Sequence, residues 1–193
     1  MRLLLRLIFW PWLLAALVVG RLELLARLPF WGQLALAPAL AAVLLAGAYA
    51  FRAPRAWLAA LDLRRLVAVH AVRLYGVYLL FLYGRGALPD VFVPGAWSEI
   101  FVAVLAVAFV AVPLPGVVRR HAAVIWNTVG FVGLLLLALA AARVGLAQPW
   151  RLAAFARLPL SLLPVFVAPL LLAVHVIIYA RLLPGNPETA RPA

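Results

Sequence analysis

The sequence predicts an all-α fold, a polytopic bundle of transmembrane helices, and three observations carry that prediction. Of the 193 residues, 69 % are hydrophobic. Only 11 % are charged, against about 25 % in an ordinary soluble domain, and the mean hydropathy is +1.15. The apolar residues gather in runs close to the ~20 needed for a helix to cross a bilayer, without the alternation of a membrane-barrel strand. A soluble domain of this length could not hide so much apolar surface.

Six spans are expected, near 3–20, 33–51, 66–84, 97–112, 122–142 and 159–182, in one helical domain over 1–182 with a polar tail at 183–193. The first run carries Arg6 and Pro11 and has a short uncharged core. It begins like a signal peptide, yet no A-x-A-like cleavage site follows. It reads as a first span or signal anchor. As an interfacial helix it would leave five spans. The second run is rich in Ala, is interrupted by Pro38, and ends at Arg52, Pro54 and Arg55. Residues 57–65 read as a short surface helix. The third run closes at Arg85, where a turn-rich loop through Pro89 and Asp90 begins. Pro113 and Pro115 close the fourth run, and Arg119, Arg120 and His121 form the next loop. A connection over 143–158 leads to the last span.

Loop arginines set the orientation. With six spans, ten Arg fall on the side of both termini and six on the other. The bias places both termini in the cytoplasm of a multi-pass protein of the cell (inner) membrane. Trp31, Trp57, Trp97, Trp126 and Trp150 lie near the expected span ends, as interfacial anchors do.

Composition also excludes chemistries. There is no Cys, so disulfides, thiolate metal sites and cysteine nucleophiles are absent. All 17 basic residues are Arg, which removes lysine Schiff bases. The hydroxyl side chains of Ser and Thr number four, and no nucleophile elbow, P-loop, dinucleotide fingerprint or zinc-helix motif occurs. A non-enzymatic role is therefore expected, with no metal and no resident cofactor. The net charge of +12 is spread over span ends, as topology signals and lipid anchors are, so nucleic acid is not an expected partner. The five acids are Glu23, Asp62, Asp90, Glu99 and Glu188, and none falls at the centre of an expected span.

Polar groups within the spans are few and so informative. His70 and Arg73, at i and i+3, share one helix face. Asn127 on the fifth span and His175 on the sixth lie at a similar depth from the cytoplasmic edge. Polar groups at that depth cost several kcal/mol unless satisfied, so the four should face one another or a cavity. Three readings follow: a packing network; a pocket in which Arg73, with no acid at its own level, takes an anion or lipid head group; or a b-type haem between His70 and His175. On the opposite side, Glu99 would open the fourth span, complement its helix dipole and pair with Arg85 as a structural ion pair. The expected partners are the bilayer, a small-molecule or lipid ligand, and a membrane partner or second copy of the chain.

At these residues the sequence resembles a family of small, uncharacterised bacterial multi-span membrane proteins. An H-A-x-R-x-x-G stretch is matched by His70, Ala71, Arg73 and Gly76, and an R-G-x-L-P by Arg85, Gly86, Leu88 and Pro89. A P-A-G-W-G-D-I motif is met with departures by 94–100, where Ser98 stands for a Gly and Glu99 keeps the acid. Trp126, Asn127 and Gly130 match a W-N-x-x-G. Residues 157–164, Phe166, Pro169, Leu170 and His175 match an R-L-P-L-S-L-L-P stretch with its later proline and His. The resemblance covers about 66–182 and implies the membrane fold and the choice of residues, without an activity.

Overall fold

The computed structural model describes residues 2–182, with side chains from residue 8 onward. The expected polar tail at 183–193 lies outside the described residues. Every regular element among them is helical. Five helices are long and apolar enough to cross a membrane: Phe30–Ala50, Leu63–Gly84, Asp90–Ala111, Gly116–Ala147 and Leu163–Leu182.

Helix α1 (Arg2–Arg21) contains Pro11, and its described apolar part, Ile8–Arg21, is shorter than a span. It packs against the start of the last span. Trp12 Nε1 donates to the Val165 carbonyl at 3.1 Å, and Gly20 lies so close to Leu158 and the Ser161 hydroxyl that a Cβ would not fit. A short 3₁₀ turn, Leu24–Arg27, leads to α2 (Phe30–Ala50), which tolerates Pro38 inside it. The surface helix α3 (Arg52–Ala60) buries no residue, in keeping with its Arg-rich, amphipathic sequence.

The third span has three parts. It opens with α4 (Leu63–Ala68), whose N-terminus is capped by Asp62, the side chain accepting from Arg64 N; such a cap satisfies an orphan amide. It tightens into a 3₁₀ segment over Val69–Leu74, then relaxes into α5 (Tyr75–Gly84). The fourth span, α6 (Val93–Ala111), begins earlier than the sequence suggests, because Pro94 sits in its first turn, where a proline displaces no helical hydrogen bond. Helix α7 (Gly116–Ala147) is also longer than expected, with 32 residues. Arg119, Arg120 and Arg143 are taken into the helix rather than forming loops. A π-helical turn over Leu163–Val167, carrying Pro164, precedes α8 (Ala168–Leu182).

Helix α6 is the centre of the bundle, packed between the third span and α7; α7 meets α8, and α8 meets α2. Two ends can be distinguished. At one, Arg181 donates to the Leu61 carbonyl and Arg120 Nη2 to the Leu182 carbonyl at 2.8 Å. At the other, Arg157 Nε meets Glu23 at 3.1 Å. The outward faces remain apolar, with Phe101, Val104, Leu136 and Leu139 exposed. Such faces suit hydrocarbon, which carries no polar group to satisfy.

Candidate functional site

Apart from Ser161, which lies against Gly20 of α1, the buried polar residues among those described converge at the middle of the bundle. His70, Arg73, Glu99, Asn127 and His175 have no exposed surface. In the 3₁₀ segment residues three apart eclipse one another, which stacks His70 and Arg73 on one face toward α6, α7 and α8.

Arg73 and Glu99 form a bidentate ion pair. Nε donates to Oε2 and Nη2 to Oε1, both at 2.6 Å. Nη2 also donates to the Gly130 carbonyl at 2.9 Å, and the Tyr75 hydroxyl donates to Glu99 Oε2 at 2.8 Å. The remaining guanidinium nitrogen, Nη1, lies 3.2 Å from His175 Nε2. Asn127 fixes that histidine from the other side. Its Nδ2 donates to the His175 carbonyl at 3.2 Å, so Oδ1 faces His175 Nδ1 at 2.8 Å. One tautomer satisfies every contact: Nδ1 carries the proton and donates to Asn127, and Nε2 accepts from Arg73. Gly130 makes room for this arrangement, since a Cβ there would lie 2.9 Å from Arg73 Nη1 and from His175 Cε1.

Three expectations are corrected by this geometry. Arg73 is not a cation without an acid at its level. Glu99 neutralises it, because the earlier start of α6 carries the carboxylate two turns into the helix. For the same reason Glu99 does not pair with Arg85, whose guanidinium lies 5.0 Å over the Phe81 ring. Trp126 is no interfacial anchor. The extra turns at the start of α7 take it inward, where it is buried and donates to the Val102 carbonyl at 3.1 Å. Trp31, Trp97 and Trp150 are exposed.

His70 joins the cluster by ring contacts alone. Its ring centroid lies 4.3 Å from that of His175 and 4.8 Å from that of Trp126. Neither ring nitrogen has a hydrogen-bond partner among the described residues. The two histidines do not fit a haem. Axial ligands stand on opposite faces of a porphyrin, whereas these rings touch, and both nitrogens of His175 are already engaged.

Sequence reasoning missed Tyr75, although it follows Arg73 by two residues, and it missed what lies beyond Tyr75. A cavity of about 500 Å³ is lined by α2, α7, Tyr75 and the start of the last span. Of its lining side chains, only those of Gln33 and Tyr75 carry polar atoms. On α7 the lining runs from Phe131 to Ala141, a rise of about 15 Å at 1.5 Å per residue. That is half of a ~30 Å hydrocarbon core. The cavity thus reaches from the level of the ion pair to the end of the bundle that holds Glu23 and Arg157. Pro38, Leu135 and Ala138 line it and are themselves exposed, so its mouth opens sideways between α2 and α7. Helix α2 packs chiefly on α8 and only lightly on α7, which leaves that seam open.

A family model described as a domain of unknown function (DUF8737) matches residues 29–183. The match takes in all five long helices and leaves α1 outside. No match was found among curated proteins or among solved structures.

Proposed function

We propose, for a chain that belongs to the DUF8737 family, that this integral membrane protein takes a single-chain amphiphile out of the bilayer into the cavity beside Tyr75. The observation that carries this reading is the apolar, laterally open cavity of about 500 Å³. Its volume falls in the range of small-molecule sites, roughly 300–1,000 Å³. Its depth matches one leaflet, and its mouth faces lipid rather than water. Packed helices leave few voids of this size, and a hydrocarbon chain lying there would restore the contacts that an empty wall forgoes.

The polar cluster has a supporting role in this reading. With Arg73 neutralised by Glu99, it offers no free cation for an anion. It ties α5, α6, α7 and α8 together and so holds one wall of the cavity rigid. The arginine-rich end of the bundle, with Arg64, Arg65, Arg119 and Arg120, would face the cytoplasm of a cell membrane. The cavity then belongs to the outer leaflet.

A hexadecyl chain bearing a diazirine, incorporated into nanodiscs with the full chain, tests the proposal. Light should place adducts on peptides containing Leu134, Leu163 and Leu172. Ala138→Trp, which fills the mouth, should lower that labelling at least severalfold without changing labelling of Val104 and Leu139 on outward faces. Equal labelling of the cavity and the outward faces, unaffected by Ala138→Trp, would remove the reading.

A further inference from the structure

The cavity is nearly featureless, so its two polar residues decide what else a ligand needs. Gln33 lies in the first turn of α2, near the membrane boundary, where its Nε2 donates to the Leu28 carbonyl at 3.0 Å. Water competes for its remaining capacity there. Tyr75 lies at the other extreme, two residues beyond Arg73 and near the middle of the third span. Its single proton is committed to Glu99 Oε2 at 2.8 Å. Glu99 is itself fixed by two contacts of 2.6 Å to Arg73, so the tyrosine proton has a charged acceptor that does not move. What remains on the tyrosine oxygen is a lone pair, in a layer without bulk water to satisfy it.

From this geometry we infer that Tyr75 selects a ligand whose head group is neutral and donates a hydrogen bond, a hydroxyl or an amide N–H on a single long chain. This rests on the cavity reading above and sharpens it. A donor is required because Tyr75 has only acceptor capacity left. Neutrality is required because the seat lies near the mid-plane, where a charged head is expensive, and because the Arg73–Glu99 pair is already compensated. Carboxylates, phosphodiesters, and ethers or esters without a donor are discriminated against. The chain runs from Tyr75 toward the membrane boundary and leaves through the seam between α2 and α7.

Competition against the hexadecyl diazirine probe in nanodiscs separates the possibilities. Hexadecanol and its methyl ether share one chain and differ in the donor. For the wild-type chain, hexadecanol should displace the probe about three- to tenfold better than the ether, the range of one buried hydrogen bond in a membrane protein. Palmitate at neutral pH should compete no better than the ether. Tyr75→Phe should bring hexadecanol down to the level of the ether and leave the ether unchanged. A merely structural tyrosine would lower both together.

A hexadecanol analogue with its diazirine beside the hydroxyl needs no variant. It should label Phe131 and Leu134 rather than Phe30, which holds the test open if Tyr75→Phe does not fold. Equal competition by alcohol and ether, or labelling at Phe30, overturns the head-group assignment while the cavity reading stands. Absence of competition by both, together with no effect of Ala138→Trp on the probe, overturns the cavity reading itself.

Discussion

A buried guanidinium and a buried carboxylate each cost several kcal/mol to take out of water, and good geometry repays that cost only while both are present. Glu99→Gln should therefore destabilise the protein strongly, by about 3–5 kcal/mol, because it leaves Arg73 charged and uncompensated. The double variant Arg73→Met with Glu99→Leu should cost clearly less than the sum of the single changes. Unfolding of the detergent-solubilised chain measures both, and strict additivity would argue against the pair as drawn. Asn127→Leu should cost less, about 1–3 kcal/mol, since it strands one imidazole proton.

At this scale the sequence yielded part of the site. His70, Arg73, Asn127 and His175 were legible because polar side chains within apolar runs are rare and depth can be counted along a helix. The partner of Arg73 was not, because Pro94 and Gly95 look like loop residues and so move Glu99 to a helix end. The missing signal was available. A mid-span arginine demands an acid, and Glu99 is the one acid followed by an unbroken apolar run, at 100–112.

At the scale of elements, close approach between helices does much of the positioning. Gly76 on α5 faces α6, where an added Cβ would meet the Ala96 carbonyl and lie 3.1 Å from Glu99 Cβ. Gly76→Ala should push the two helices apart, costing about 1–3 kcal/mol as overpacking does. Gly84→Ala, where an added Cβ meets nothing within 4 Å, is the control and should leave the midpoint of thermal unfolding near that of the wild type. A similar fit explains Ser98: a Cβ on Gly133 would lie 2.7 Å from its hydroxyl oxygen, so the small residue on α7 leaves space for the larger one on α6. Helix identity was legible from run length and composition. Helix ends were not, because Arg119, Arg120 and Arg143 read as loop signals although α7 extends past the hydrocarbon layer and keeps them helical. A helix of 32 residues is about 48 Å long, well over a ~30 Å core.

For the molecule as a whole, the two ends differ in what labels them. The chain has no Cys, so single introduced thiols report sidedness without background. Val117→Cys, on an exposed position at the end holding Arg120, should react with an impermeant maleimide only after the membrane is opened. Arg151→Cys, at the opposite end, should react on intact cells. The reverse pattern would invert the proposed orientation and move the cavity to the inner leaflet. The outline of a helical membrane bundle was legible from hydropathy alone. The lateral cavity was not, because its walls come chiefly from α2, α7 and the last span, with Tyr75, Phe92 and Phe155 added from other segments, and no periodicity in one segment reports a gap between several.

The tightened stretch within the third span also acts as a phase shifter. An α-helix turns about 100° per residue and a 3₁₀ helix about 120°, so the six residues of Val69–Leu74 add about 120° of rotation relative to an unbroken α-helix. Both halves pack on α6, yet α4 sends Leu66 and Val67 into the cluster around Trp126 and Ile178, while Tyr75 at the start of α5 lines the cavity. Relaxing that stretch to α-helix would swing Tyr75 by a third of a turn relative to Leu66 and Val67, and would also shorten the span by about 3 Å. The wall of the cavity and the anchor of the bundle are thus set against each other by the pitch of two turns of backbone.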